Sequence, residues 1–120
     1  METIDIQLPV NLETMTLPAP ELVNYWRFAE DRTFFIDYDV DSGLTEIIKS
    51  VIYINKKDRG IPAENRMPIT LCIYSYGGDL DAAFALIAAC EASLTPIVTV
   101  NMGIAMSAGL MIFLAGRERY

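Results

Sequence analysis

One hydroxyl in this chain stands where a nucleophile could work. Residues 98–115 read Val-Thr-Val-Asn-Met-Gly-Ile-Ala-Met-Ser-Ala-Gly-Leu-Met-Ile-Phe-Leu-Ala. The pattern is a buried strand, a tight turn of small residues, then an apolar helix. Ser107 stands at the turn, and its neighbours Ala105, Ala108 and Gly109 are small enough for another chain to approach. A serine at a helix N-terminus has unsatisfied backbone N–H donors beside it and a dipole that favours negative charge. Acyl transfer needs that setting: a hydroxyl nucleophile and donors for the developing oxyanion. The same position also suits an ordinary N-cap, which serine often is. From this stretch alone the cap is the default reading.

A second stretch shifts that balance. Residues 69–84, Ile-Thr-Leu-Cys-Ile-Tyr-Ser-Tyr-Gly-Gly-Asp-Leu-Asp-Ala-Ala-Phe, again read as strand, glycine turn and helix. Gly77 and Gly78 let the backbone take positive φ and turn an N–H outward. Two successive strand–turn–helix units put both turns at the carboxyl ends of neighbouring parallel strands, where α/β folds place their sites. One N–H from Gly78 and one from Ala108 would then meet at a single oxyanion.

These residues carry a resemblance. Tyr74-Ser-Tyr-Gly-Gly-Asp resembles the Ser-Pro-Gly-Gly turn of the Clp protease proteolytic subunit, and Gly103-Ile-Ala-Met-Ser-Ala-Gly resembles its Gly-x-Ala-x-Ser-x-Gly nucleophile turn. Arg32-Thr-Phe-Phe-Ile-Asp-Tyr-Asp-Val-Asp is similar to the strand and turn that open that fold. Leu114-Ala-Gly-Arg-Glu-Arg-Tyr is similar to the segment leading toward the family's histidine. The likeness runs in order over residues 32–120. It implies Ser107 as nucleophile and the N–H groups of Gly78 and Ala108 as oxyanion hole, with Gly77, Gly103 and Gly109 supporting the turns. It also implies a cytoplasmic peptidase subunit that associates into rings and receives unfolded polypeptide from an AAA+ ATPase chaperone. Two departures stand out. The chain has no histidine, the family's histidine and aspartate falling beyond the position that matches Tyr120. Tyr76 stands where the family has proline.

Composition bounds the alternatives. The chain has 120 residues, 52% apolar and 21% charged, with a net charge of −7. That is one small domain, or part of one, with more apolar surface than so short a chain easily buries. The surplus points to missing elements or subunit interfaces. The acidic balance argues against nucleic acid and against an anionic membrane surface. Without histidine, and with Cys72 and Cys90 spaced unlike metal ligands, no metal site is expected, and no cofactor is implied. The two thiols read as reduced packing residues. Residues 1–10 lack the basic start and apolar stretch of a secretory signal.

The elements that must position the site follow in order. Residues 1–19 read as an N-terminal arm with a short alternating strand at Ile4, Ile6 and Leu8, and residues 20–120 as the domain. Pro20 opens a helix whose face is Leu22, Tyr25, Trp26 and Ala29, with Trp26 as packing anchor against the next layer or a subunit rather than a ligand stacker. Residues 33–40 read as a strand, and Asp41 or Ser42 as the cap of a helix striped by Leu44, Ile47, Ile48, Val51 and Ile52. Residues 56–68 read as a long solvated bend. Residues 69–74 read as a strand covered on both faces. Asp79 is expected to cap the next helix, faced by Leu80, Ala83, Phe84, Ile87 and Ala88. Asp79 and Asp81 together read as dipole partners rather than as an acid–base pair. The chain is expected to end directly after the helix that Ser107 begins.

The fold expected is α/β, repeated βα units with right-handed crossovers, resembling the Clp/crotonase superfamily and incomplete at the C-terminus. Two functional classes follow: a Clp-type serine endopeptidase subunit, expected to be inactive as these 120 residues alone, or a catalytically silent structural or regulatory subunit. A third, a crotonase-type acyl-CoA enzyme, shares the paired N–H groups but typically presents glycines where this chain presents Ser107.

Overall fold

The computed structural model describes residues 18–120. The expected strand at residues 4–8, and the arm up to residue 17, lie outside the described residues. The chain runs α1 (Pro20–Glu30), β1 (Thr33–Ile36), α2 (Leu44–Lys57), a 3₁₀ turn (Ala63–Asn65), β2 (Ile69–Ser75), α3 (Leu80–Ala92), β3 (Ile97–Ala105), α4 (Ala108–Leu114) and β4 (Glu118–Arg119). The four strands form one parallel sheet in the order β1-β2-β3-β4. The architecture is the expected α/β repeat. Among the described residues no helix is long and apolar enough to cross a membrane.

Register decides which face is core. Phe34 pairs with Leu71 and Leu71 with Thr99, while Ile36 pairs with Ile73. Paired residues share a face, and these side chains, with Ile69 and Ile97, are buried. Leu44, Ile47, Val51 and Ile54 of α2, Ala83, Leu86 and Cys90 of α3, and Ala108 and Ile112 of α4 complete that core. Each large side chain there contributes roughly 1.5–3 kcal/mol. The other face is not closed as expected: Phe35, Cys72, Val98 and Val100 are only half-buried. There α1 adds Phe28, whose ring meets Phe35 edge-on at 4.9 Å.

Several elements differ from the sequence reading. β1 stops at Ile36 rather than Val40, because Asp37, Tyr38 and Asp39 are exposed and leave the sheet. Val40 is buried and rejoins as a single bridge to Gly78. Trp26 is half-exposed, and the aromatic contacts α1 makes among the described residues come from Phe28 on Phe35 and Tyr25 near Phe34. In α2 the buried stripe ends on Ile54, and Ile52 faces out. Asp41 accepts the Gly43 N–H at 2.7 Å, one step ahead of the helix, and neither Asp41 nor Ser42 caps it by side chain. In α3 the buried positions are Ala83, Leu86 and Cys90, while Leu80 and Phe84 face out. The chain does not end with α4. Gly116 passes so close to Thr99 that a side chain there would collide with its hydroxyl, and residues 118–119 then add β4 beside β3.

The bend at residues 58–68 is anchored rather than solvated. Asp58 is 3% exposed. Its carboxylate takes both arms of the Arg32 guanidinium, at 2.7 and 2.8 Å, and the Thr95 hydroxyl at 2.8 Å. Asn55 accepts the Leu94 and Thr95 N–H groups, and Arg66 donates to the Ile61 carbonyl. This polar cluster closes the end of the sheet opposite the two turns.

Candidate active site

β2 ends at Ser75, and Tyr76, Gly77 and Gly78 carry the chain into α3. Gly77 has φ 112° and Gly78 φ 147°, conformations that favour glycine. The loop after β1 grips this turn: the Val40 N–H donates to the Gly77 carbonyl and the Asp79 N–H to the Val40 carbonyl, each at 2.8 Å. A side chain on Gly78 would collide with the Val40 backbone. Asp79 caps α3 as expected, accepting the Asp81 N–H at 2.9 Å.

β3 leads into the other turn. Ser107 has φ 51° and ψ −122°, a region that costs a non-glycine residue about 1–3 kcal/mol. Its side chain makes no cap hydrogen bond, so the ordinary N-cap reading fails. The residue is exposed. Backbone contacts hold the turn: the Met106 N–H donates to the Ser75 carbonyl at 3.0 Å, Gly109 to Met106 at 2.8 Å, and Met111 to Ser107 at 3.1 Å. A sharp strand-to-helix turn is also what exposes the nucleophile at the top of the sheet in α/β hydrolases.

The two turns touch. A methyl on Gly77 would stand 2.8 Å from Ser107 Cβ, 2.9 Å from the Met106 carbonyl and 3.2 Å from the Ala108 nitrogen. Gly78 is exposed, and Ala108, the first residue of α4, is buried. Neither N–H has an acceptor among the described residues. A buried donor without a partner is rare, so the Ala108 N–H marks a site short of an oxygen. Gly109 lets α4 settle on the end of β2, where a side chain would stand 3.0 Å from the Ser75 carbonyl. Gly103 lies elsewhere: it sits in a bulge of β3, against the Tyr74 ring, where the register with β2 shifts. Of the six residues expected at the site, Gly77, Gly78, Ser107, Ala108 and Gly109 come together and Gly103 acts at a distance.

Among the described residues no titratable side chain hydrogen-bonds Ser107. On the gripping loop, burial and then the charges of Asp41 and Asp37 push the Tyr38 phenol above its ordinary range. Sequence reasoning missed this loop. Its only signal is Val40, an apolar residue set among Asp37, Asp39 and Asp41.

Comparison with known proteins identifies the family. The family model for Clp protease matches residues 21–120. The ATP-dependent Clp protease proteolytic subunit 2 of Treponema pallidum is 28% identical over 98 residues, which are 82% of this chain and 47% of that protein. Subunit 1 of Chlamydia pneumoniae is 32% identical over 83 residues, 69% of this chain and 40% of that protein. Among solved structures, ClpP1 from Listeria monocytogenes aligns with a TM-score of 0.63 at 25% identity, over 76% of this chain and 50% of that one. The ClpP catalytic domain from Plasmodium falciparum aligns with a TM-score of 0.71 at 18% identity, over 86% and 55%, which speaks to the fold alone. The chain spans about half the length of the relatives it matches. It belongs to the Clp protease family.

Proposed function

We propose that this chain carries the nucleophile and oxyanion hole of a Clp-type serine endopeptidase, with Ser107 as nucleophile and the N–H groups of Gly78 and Ala108 as donors. The supporting observation is Ser107 itself: strained and exposed, with no side-chain hydrogen bond among the described residues, and with two N–H groups in the adjoining turns that have no acceptor there. In this reading Ser107 Oγ bonds to the scissile carbonyl carbon and its proton passes to a base. The carbonyl electrons move onto oxygen, and Gly78 and Ala108 hold that oxyanion. Collapse expels the amine, which takes up the proton, and water then frees the acyl group by the reverse route. The 120 residues contain no histidine, so a histidine base for this step comes from outside them. These residues alone would therefore hydrolyse peptides poorly, since serine without a base is a weak nucleophile.

The relatives' names, ATP-dependent Clp protease proteolytic subunits, support the wider reading of one subunit of an assembly that works with an ATPase; in this reading the subunit is cytoplasmic, assembles with further copies and is fed unfolded polypeptide. A second reading is a subunit that keeps the fold and not the chemistry; Tyr76, standing where the family has proline beside the glycine turn, departs from the family's pattern. A fluorophosphonate probe separates the two. On the full-length protein it is expected to label Ser107 and to leave Ser107→Ala unlabelled. Labelling that survives Ser107→Ala, or an inert wild type, refutes the nucleophile assignment.

A further inference from the structure

We propose that Ser75 is a positioning residue that aims the Gly78 N–H, an inference that rests on reading that N–H as an oxyanion donor. Ser75 ends an apolar strand and is 2% exposed. A hydroxyl buried there has to be hydrogen-bonded to be tolerated. Ser75 Oγ donates to the Tyr38 carbonyl at 2.8 Å and accepts the Gly77 N–H at 3.1 Å. Its own carbonyl accepts the Met106 N–H at 3.0 Å. One residue thus ties together the loop after β1, the glycine turn and the serine turn.

What that tie controls follows from the turn's hydrogen bonds. The Gly77 N–H goes to Ser75 Oγ, the Gly77 carbonyl accepts from Val40, and the Asp79 N–H goes to the Val40 carbonyl. From Gly77 to Asp79, the Gly78 N–H is the donor left over among the described residues. The Gly77 carbonyl and the Gly78 N–H belong to one rigid peptide plane. Fixing Gly77 on both sides therefore fixes where the Gly78 N–H points. Glycine makes this necessary: with no Cβ at either position, the plane has other cheap orientations. A rotated plane would offer the oxyanion a carbonyl in place of a donor. Tyr76, where the Clp protease family has a φ-restricting proline, leaves the turn more dependent on the Ser75 bond. Only a group that donates and accepts at once can join the Tyr38 carbonyl to the Gly77 N–H, and a hydroxyl does so.

The test uses the full-length protein, a fluorophosphonate probe and the rate constant of Ser107 labelling, read separately from probe binding and from the final fraction labelled. Ser75→Ala is expected to lower the maximal labelling rate by roughly ten- to a hundredfold, less than the roughly 10²–10³-fold cost of deleting a donor outright. Probe binding and the final labelled fraction should stay near wild type. Ser75→Cys keeps the shape but bonds weakly through sulfur, and it should show the same kind of loss if Ser75→Ala does not fold. A wild-type rate in either folded variant overturns the proposal. So does a fall in the labelled fraction at unchanged rate, or failure of both variants to fold, since each assigns the hydroxyl to folding alone. A wild type that does not label is seen before any variant is compared. That result refutes the Ser107 reading and takes this inference with it.

Discussion

Replacing Asp58 by asparagine should remove a large share of this protein's stability at neutral pH and almost none in acid. The Asp58 side chain is 4% exposed and the Arg32 side chain 15%. Its carboxylate receives three hydrogen bonds, two from Arg32 and one from Thr95. Asparagine has one acceptor oxygen, and its amide would turn donors toward the guanidinium or the Thr95 hydroxyl. Removing one partner of a buried pair costs about 3–5 kcal/mol. Arg32 keeps the Met67 carbonyl at 2.9 Å and some access to water, so about 2–3 kcal/mol is the better expectation here. Native domains have only about 5–15 kcal/mol in all. The Arg32 hydrogen bonds hold the Asp58 carboxyl below its ordinary range against the opposing effect of burial, with Thr95 assisting. A depressed carboxylate adds stability that is present above its unfolded pKa, about 3.9, and is lost as pH falls through the lower folded value. The difference between wild type and Asp58→Asn should therefore be constant above about pH 5 and shrink below about pH 4. Urea unfolding followed by circular dichroism, repeated across pH, measures both features. A difference under about 0.5 kcal/mol at pH 7, the scatter of a neutral surface change, would refute the reasoning. A difference that persists unchanged at low pH would refute the assignment to ionised Asp58.

Ser107→Gly should raise stability by about 1 kcal/mol, because glycine relieves the strain at φ 51°; a lower unfolding midpoint in urea would contradict this. Gly77→Ala should cost about 2 kcal/mol or more and slow the labelling of Ser107, since its methyl meets Ser107 Cβ at 2.8 Å at a positive φ; wild-type stability and labelling would argue that the turns do not touch. Burial, and then the charge of Glu91, push the Cys90 thiol up to about 11, so Cys90 should resist a thiol-exchange reagent at pH 8 until the protein unfolds, and rapid native-state reaction would contradict its burial. Phe84, Leu110 and Leu114 are each more than 40% exposed on α3 and α4, so sedimentation at micromolar concentration should show self-association, and a sharp monomer boundary would remove that expectation.

What was legible in the sequence tracks what is locally determined. The two turns could be read because glycine stands where the backbone needs positive φ or close approach, as Gly77, Gly78 and Gly109 do. Whereas the two-residue β4, Glu118–Arg119, carries no such pattern, β2 and β3 could be read as short apolar runs between turn residues. The face of α3 could not. Leu80, Ala82, Ala83, Phe84, Leu86 and Ile87 are apolar on every side of the helix, so periodicity cannot say that Leu86 goes in and Phe84 out. Asp58 lies within Lys-Lys-Asp-Arg, a run that reads as solvated, and its burial depends on Arg32 and Thr95, both distant in the chain. Val40 and Ser75 escaped for the same reason: their partners lie on other segments, which only the folded topology brings near.

The described chain has two non-glycine residues at positive φ, Arg32 at 55° and Ser107 at 51°, one at each end of the sheet. Their difference bears on function. Arg32 is held by its own side chain, which binds both oxygens of Asp58 and the Met67 carbonyl. The strained backbone is what aims that guanidinium, and the bonds it gains offset the strain. Ser107 makes no side-chain hydrogen bond among the described residues and none that caps α4. Its conformation is imposed from outside, by Met106 bonded to Ser75, by Gly109 bonded to Met106, and by Ala108 and Gly109 packed into the core. A cap would have recovered part of that cost, since a capping serine is worth about 1 kcal/mol. A residue kept strained by its surroundings while its hydroxyl stays free fits a need at the hydroxyl itself. Under the proposed function an acyl-transfer nucleophile would supply that need, and the Gly78 and Ala108 N–H groups, without an acceptor among the described residues, would supply the other half of the chemistry.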